Sequence, residues 1–394
     1  MNKKTVYLDN ASNTPLDKEV FQAMSPYLKT NFVGNSHSIH DFGIKAHAAI
    51  ENARTLIATA AGFSPEEVYF TSGATESNNW VLKSLAFHEL FEEKHPKKHL
   101  VVSAIEHASV LNTCHQLEKM GFSITYIKPT SDGKIPVLSV KKALRFDTLL
   151  VCVMAVNNET GAENNIIDIG KAARANKSLM MSDCTQFLSE GGIYCQLNKR
   201  LPNVDYYTFS GHKIYGPTGT GCLIARKKAP LYSFVTGGGQ EFGLRGGTSN
   251  TSGIVGLGKA YLMMAAKSYH NLFESLHNYL IESLLKNNIP FKINGVANHP
   301  NIINLNFSMF MNDSELASLL SIYGIACSAG SACEAASGNE IQNTPSHVLV
   351  AMGIPEREIY NSVRLSFSKY TTKQDIDKFV KVMKKLKEQS EATI

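Results

Sequence analysis

The segment Asp205-Tyr-Tyr-Thr-Phe-Ser210-Gly-His212-Lys213-Ile-Tyr-Gly-Pro-Thr-Gly-Thr-Gly221 delivers a serine, a histidine and a lysine together at the end of a β-rich run. The glycines that follow let the chain turn sharply. Lysine is costly to place at a buried strand end unless it is paired or functional. Held there with a neutral amine, Lys213 can form an imine with an aldehyde cofactor. An exposed lysine after a strand is the plainer alternative. Asp183 closes the run Leu179-Met-Met-Ser, with Gln186 three residues on. In open α/β sheets ligands sit beyond the carboxyl ends of strands, where Asp183 and Ser210 to Lys213 would converge. A carboxylate there can keep a pyridinium nitrogen protonated; a helix N-cap is the alternative.

Further segments have the same two-sided character. Thr71-Ser72-Gly73-Ala74-Thr75-Glu76-Ser77 lies between a strand and a helix, where amides and hydroxyls could hold a phosphate. Thr75 with Glu76 and Asn78 is also ordinary capping chemistry, and no Walker-type P-loop pattern occurs. His107 follows the strand Leu100–Ala104 and could stack on a flat ring or shuttle protons, or simply start a helix. Asn157-Asn158-Glu159-Thr160-Gly161 could bond a ring hydroxyl or form a turn. Cys333 sits in the small-residue stretch Ser328-Ala-Gly-Ser-Ala-Cys333, which implies an accessible loop where a thiol could act as a nucleophile; a buried small hydrophobe is the alternative. Cys327, beside Ile325-Ala326, suits a buried site better. Arg364, inside the strand-like Ser362-Val-Arg364-Leu-Ser-Phe, needs a partner, and a carboxylate is the natural bidentate one.

These residues need strands and helices to position them. Short β-rich runs occur at Glu67–Thr71, Leu100–Ala104, Ser123–Lys128, Leu149–Ala155, Leu179–Asp183, Val204–Ser210 and Cys222–Arg226. Helical stretches separate them, for example with Val110, Cys114, Leu117 and Met120 on one face. That alternation predicts an α/β layered domain with a mostly parallel sheet. Ile50, Ala53, Ile57 and Ala60 mark an earlier helix ending at Gly62. After about residue 253 a long helical stretch runs to about Leu285. A strand at Asn301–Ser308, a helix near Ser314–Ile322, a strand at Val363–Phe367 and a Lys-rich final helix follow. They predict a smaller α+β domain.

The 394 residues, 43% hydrophobic and 19% charged, describe a globular chain able to bury a sizeable core. The net charge of +5 is spread out, with no basic stripe for nucleic acid. The longest apolar run, Thr148 to Val156, is too short to cross a bilayer. The start, Met1-Asn2-Lys3-Lys4, has no apolar signal region behind it. Seven scattered cysteines argue against a disulfide framework and for reduced thiols in a cytoplasmic compartment. No metal-ligand spacing is evident.

Taken together, the motifs resemble the class V, fold-type I pyridoxal-phosphate enzymes, most closely the NifS/IscS-like cysteine desulfurases. They run in the order TSGATES, EHASVL, VNNETG, DCTQ, SGHKIYGP, GGGQEFGLRGGT, SAGSAC, PSHVL and VRLSF. The resemblance implies a large domain (residues 16–261) with a mostly parallel seven-stranded sheet. It also implies a small domain (1–15 and 262–394) that carries the cysteine loop. By the same resemblance, Lys213 would carry pyridoxal phosphate and act as acid/base, with His107 stacked on the ring. Asp183 would pair with the pyridine nitrogen and Gln186 would reach the ring hydroxyl. Ala74, Thr75, Ser210 and His212 would bind the phosphate, with Thr248 of a second subunit completing the site, hence a homodimer. Asn158 and Arg364, with Asn35 nearby, would hold the substrate carboxylate. Cys333 would take sulfur from L-cysteine, leaving alanine and a persulfide for an acceptor protein.

Four departures from the family pattern stand out. Eleven residues separate Cys333 from Pro345, more than usual. Ala155 stands where a histidine is usual and Phe242 where an arginine is usual, and the N-terminal motif reads Asn35-Ser36-His37-Ser38. Iron–sulfur assembly, tRNA thiolation, DNA phosphorothioation and other destinations for the sulfur remain open. A selenocysteine lyase or another class V β-eliminating enzyme would keep the same cofactor residues. A non-catalytic relative would have no need of them.

Overall fold

The computed structural model describes residues 5–29, 32–92, 96–308, 316–329 and 345–392. Seven strands form the central sheet: β2 (Val68–Thr71), β3 (His99–Ser103), β4 (Ser123–Ile127), β5 (Thr148–Cys152), β6 (Leu179–Asp183), β7 (Tyr206–Ser210) and β8 (Gly221–Ala225). Their order is β2-β8-β7-β6-β5-β3-β4. Only β8 runs antiparallel to its neighbours, β2 and β7; the other pairs are parallel. All seven strands anticipated from the sequence are therefore present.

Side chains alternate across a strand, and both faces of this sheet are buried. Val101, Val151, Met180, Tyr207, Phe209 and Ile224 point into one apolar cluster, shared with helices α1 (Asp41–Ala61) and α4 (Thr251–Ala266). Leu100, Val102, Leu150, Met181, Tyr206 and Leu223 point into the other, against α2 (Ala74–Leu90) and α3 (Ala108–Lys119). The result is a three-layered α/β/α arrangement, as expected for strands hydrophobic on both faces. Helix α1 ends where Gly62 adopts φ 82°, a left-handed C-cap that suits glycine. Met120 lies past the end of α3 and is exposed, so it does not continue the apolar stripe of Val110, Cys114 and Leu117.

The long helical stretch anticipated to Leu285 is two helices. Lys267-Ser268-Tyr269 separates α4 from α5 (His270–Lys286), and Lys267 is extended. Met264 of α4 belongs to the sheet's core, whereas Phe273, Leu276, Leu280 and Leu284 of α5 enter a separate one. That second core covers β9 (Lys292–Ile293), β10 (Ile302–Asn306) and β12 (Ser362–Ser366), which pair antiparallel in the order β12-β10-β9. It also includes α6 (Lys373–Glu391) and the parallel pair β1 (Val6–Tyr7) and β11 (Ile325–Ala326). Among the described residues no helix is long and apolar enough to cross a membrane. Nor does any group of three His, Cys, Asp or Glu side chains there have a metal-binding arrangement.

Candidate active site

The carboxyl ends of β2, β3, β5, β6 and β7 open onto one cavity of about 200 Å³. It is lined by residues from the loops that follow those strands: Ala74 and Thr75, His107, Asn158, Asp183 and Gln186, and Ser210, His212 and Lys213. Arg364 of β12 closes it from the second core. These ten sequence-predicted residues thus meet in one place, which is where ligands bind in open α/β sheets.

Lys213 ends a single 3₁₀ turn after β7. Its Nζ donates to the carbonyl oxygens of Ala11, at 2.6 Å, and Ser12. Gln186 Nε2 donates to the same Ala11 carbonyl at 2.9 Å. Burial, and then the neighbouring Lys213 charge, push the His212 imidazole down to about 4, so it is neutral at pH 7. Ser210 Oγ accepts from the Ala74 N–H at 2.8 Å, joining the end of β7 to the start of α2. A phosphate here would meet the positive end of a helix. The turn before α2 packs directly on β8: a Cβ on Gly221 would lie 2.4 Å from Gly73 Cα.

Asp183 is buried, with one carboxylate oxygen accepting from the Thr185 N–H and the other from Asn78 Nδ2, both at 2.9 Å. His107 caps α3, its Nδ1 accepting from the Ser109 N–H at 3.1 Å. A backbone N–H can only donate, so the neutral ring carries its proton on Nε2. Asn157 clamps its own turn by accepting from Glu159 N and Thr160 N, each at 3.0 Å. That division leaves Asn158 to face the cavity.

Arg364 is 2% exposed. Its guanidinium donates to Asn158 O (2.9 Å), Asp9 Oδ1 (2.7 Å), Ser12 Oγ (2.5 Å) and Ser328 Oγ (3.1 Å). Its Nε is buried and finds no acceptor among the described residues. An unmatched buried donor on a guanidinium costs free energy until something accepts from it.

Asn35 and Thr248 are exposed and do not line this cavity. Cys333 lies outside the described residues. Sequence reasoning missed Ala11, Ser12, Met154, Val156 and Thr185, which complete the lining. Ala11 acts through its backbone carbonyl, which no residue type announces. Thr185, between Asp183 and Gln186, could have been found from its position in the Asp183-Cys-Thr-Gln186 motif.

The class-V aminotransferase family matches residues 6–379. The cysteine desulfurase IscS of Dictyoglomus turgidum is 39% identical over 389 residues, covering 98% of this chain and 95% of the relative. The cysteine desulfurase IscS of Rickettsia prowazekii is 41% identical, covering 94% and 88%. Among solved structures, a NifS-like protein superimposes with a TM-score of 0.86 at 34% identity, covering 97% of this chain and 99% of its own. SspA in complex with cysteine does so with a TM-score of 0.79 at 37% identity, covering 93% and 100%. The chain belongs to the class-V aminotransferases and, within them, to the cysteine desulfurases.

Proposed function

We propose that this chain uses pyridoxal phosphate to take sulfur from L-cysteine, leaving L-alanine and a persulfide on Cys333 for a sulfur-acceptor protein. The observation that carries the reading is the one cavity lined by Lys213, Asp183, His107 and Arg364. Those residues fit the cofactor chemically. Lys213 offers an amine for the aldehyde, Asp183 an acceptor for a ring N–H, and Ser210, neutral His212 and the start of α2 offer donors for a phosphate. Thr75 stands in that first turn, and Thr248 of a second copy would complete the phosphate site in a homodimer.

Pyridoxal phosphate, when bound, supplies an electron sink for charge released at the substrate's Cα. Lys213 then moves the proton at that carbon. Asp183 would hold a ring-nitrogen proton, and Gln186, whose Nε2 is engaged by the Ala11 carbonyl, would offer the rest of its amide to a ring hydroxyl. His107, which lines the cavity, would cover one face of the ring. Arg364 and Asn158, which line the cavity, would grip the substrate carboxylate, and Asn35 would have to approach from outside it.

The sulfur step balances without an added oxidant. Cys333 thiolate attacks the substrate sulfur, the bond from sulfur to Cβ breaks, and its electron pair stays with the carbon and takes a proton. The products are alanine and Cys333–S–SH. The other cysteines are poor candidates for this thiolate: burial raises the thiols of Cys114, Cys152, Cys184, Cys195 and Cys222. Burial, and then Asp9, push Cys327 up to about 12. In this reading residues 16–261 hold the cofactor and 1–15 with 262–394 carry the Cys333 loop, in a cytoplasmic enzyme whose thiols stay reduced.

The test is product analysis with L-cysteine, pyridoxal phosphate and dithiothreitol. Alanine and sulfide in equal amounts are expected. Pyruvate and ammonia would overturn the reading in favour of β-elimination. Selenide release that is undiminished in Cys333→Ala, with none of the sulfide, would favour a selenocysteine lyase.

A further inference from the structure

Behind the cavity wall stands a polar side chain that the proposed reaction does not use. Asn78 lies in the second turn of α2 and is fully buried. It does not cap the helix: the N-cap is Gly73, which has no side chain to do so. Its Nδ2 donates to Asp183 Oδ2 at 2.9 Å and to Ser109 Oγ at 3.0 Å, and its Oδ1 accepts from Thr208 Oγ1 at 2.6 Å. Thr208, also fully buried, is the register partner of Asp183 across β6 and β7.

We propose that Asn78 is a positioning residue that ties Asp183 and His107 into one unit, fixing the orientation of the carboxylate and the tautomer of the imidazole. The inference rests on the Lys213 site proposed above. Each direction follows from what the partners can do. A carboxylate oxygen only accepts, so Nδ2 must face Asp183 and Oδ1 must face Thr208, whose hydroxyl then donates. The second Nδ2–H occupies a lone pair of Ser109 Oγ. The single Ser109 O–H is then left for His107 Nδ1, 2.8 Å away. That nitrogen also takes the Ser109 backbone N–H, which can only donate, so protonation of Nδ1 would break that contact. The chain thus runs one way, from Thr208 through Asn78 to both active-site groups. A buried network in which each member has its partner is rigid, and one missing donor disturbs all of it.

The test uses the enzyme loaded with pyridoxal phosphate and the variants Asn78→Ala, Thr208→Val and Ser109→Ala. One readout is the pH titration of the cofactor's visible absorbance, measured on the loaded fraction. Loss of the Asn78 hydrogen bond frees the Asp183 carboxylate to turn away from the ring nitrogen, and that misorientation weakens the hold on the nitrogen's proton. Less positive charge on the ring lets the Lys213-linked nitrogen keep its proton to higher pH. The midpoint in Asn78→Ala is expected to rise by about one pH unit, the shift that a lost hydrogen bond to a charged group supports.

The other readout is kcat against KM for L-cysteine. Asn78 touches no substrate, so kcat is expected to fall about tenfold while KM moves less than about threefold. Thr208→Val, nearly isosteric, frees the amide to flip and is expected to shift the midpoint the same way. Ser109→Ala cuts only the His107 arm, so it should leave the midpoint in place and move the pH–rate profile. If Asn78→Ala does not fold, the other two variants carry the test. Wild-type midpoints and kcat in loaded Asn78→Ala and Thr208→Val would overturn the inference. A wild-type protein that takes up no pyridoxal phosphate would instead overturn the underlying site.

Discussion

Replacing Arg364 by lysine separates charge from geometry at the substrate end of the cavity. The guanidinium makes four hydrogen bonds to Asn158, Asp9, Ser12 and Ser328, and the residue lines the cavity. A lysine ammonium can preserve the ion pair with Asp9, so that partly buried carboxylate is not left without a cation. It cannot reproduce a planar fork of donors. The loss at the substrate carboxylate is one hydrogen bond to a charged group, about 1.5–3 kcal/mol. At about 1.4 kcal/mol per decade, kcat/KM for L-cysteine should fall roughly 10- to 150-fold. Most of the change should be in KM, with cofactor absorbance intact. Cysteamine, which has no carboxylate, provides the control: the wild-type preference for cysteine over cysteamine should collapse in Arg364→Lys. If kcat/KM for cysteine stays within about threefold in the folded variant, Arg364 does not read the carboxylate.

Cys333→Ala should retain the cofactor spectrum and form no persulfide with labelled L-cysteine, as peptide mass mapping would show. Gly221→Ala would place a Cβ 2.4 Å from Gly73 Cα and push the start of α2 off Ser210. Equilibrium dialysis should then show weaker pyridoxal-phosphate binding, with the free protein still folded. A pH effect is expected where Ser189 and Glu190 meet α5 and the loop before β10. Buried Glu190 Oε1 and His299 Nδ1 lie 3.2 Å apart with no other partner among the described residues. His299 Nε2 faces the Gln186 carbonyl, so Nδ1 accepts and a proton on Glu190 would satisfy both atoms. Burial accordingly pushes Glu190 up to about 7, against the hydrogen bond and charge of His270, and pushes His299 down to about 3. A raised carboxyl value contributes stability that is present below its unfolded value of 4.5 and lost as pH rises through about 7. Glu190→Gln should therefore gain urea resistance over wild type above pH 7; stability curves that stay parallel across pH 5–8 would contradict this.

The seven strands of the sheet were legible because each is a short β-rich run bounded by turn chemistry. The convergence of Asp183, Ser210 and Lys213 was legible because strand ends in such sheets share one edge. Long-range polar pairing was not. Asn78 reads as helix-start chemistry until the fold brings Thr208, 130 residues away, and Asp183, 105 away, against it. The carbonyls of Ala11 and Ser12 accept from Lys213 across about 200 residues, and backbone acceptors carry no signature of residue type. The break between α4 and α5 was hidden because Lys267-Ser268-Tyr269 contains neither glycine nor proline.

The most direct measurement is borohydride reduction of the protein loaded with pyridoxal phosphate, followed by peptide mass mapping. The cofactor should be fixed to Lys213 and to no other lysine, and Lys213→Ala should remain unlabelled. Specific labelling of a different lysine, or an unlabelled wild-type protein, would contradict a cofactor centre built on Lys213.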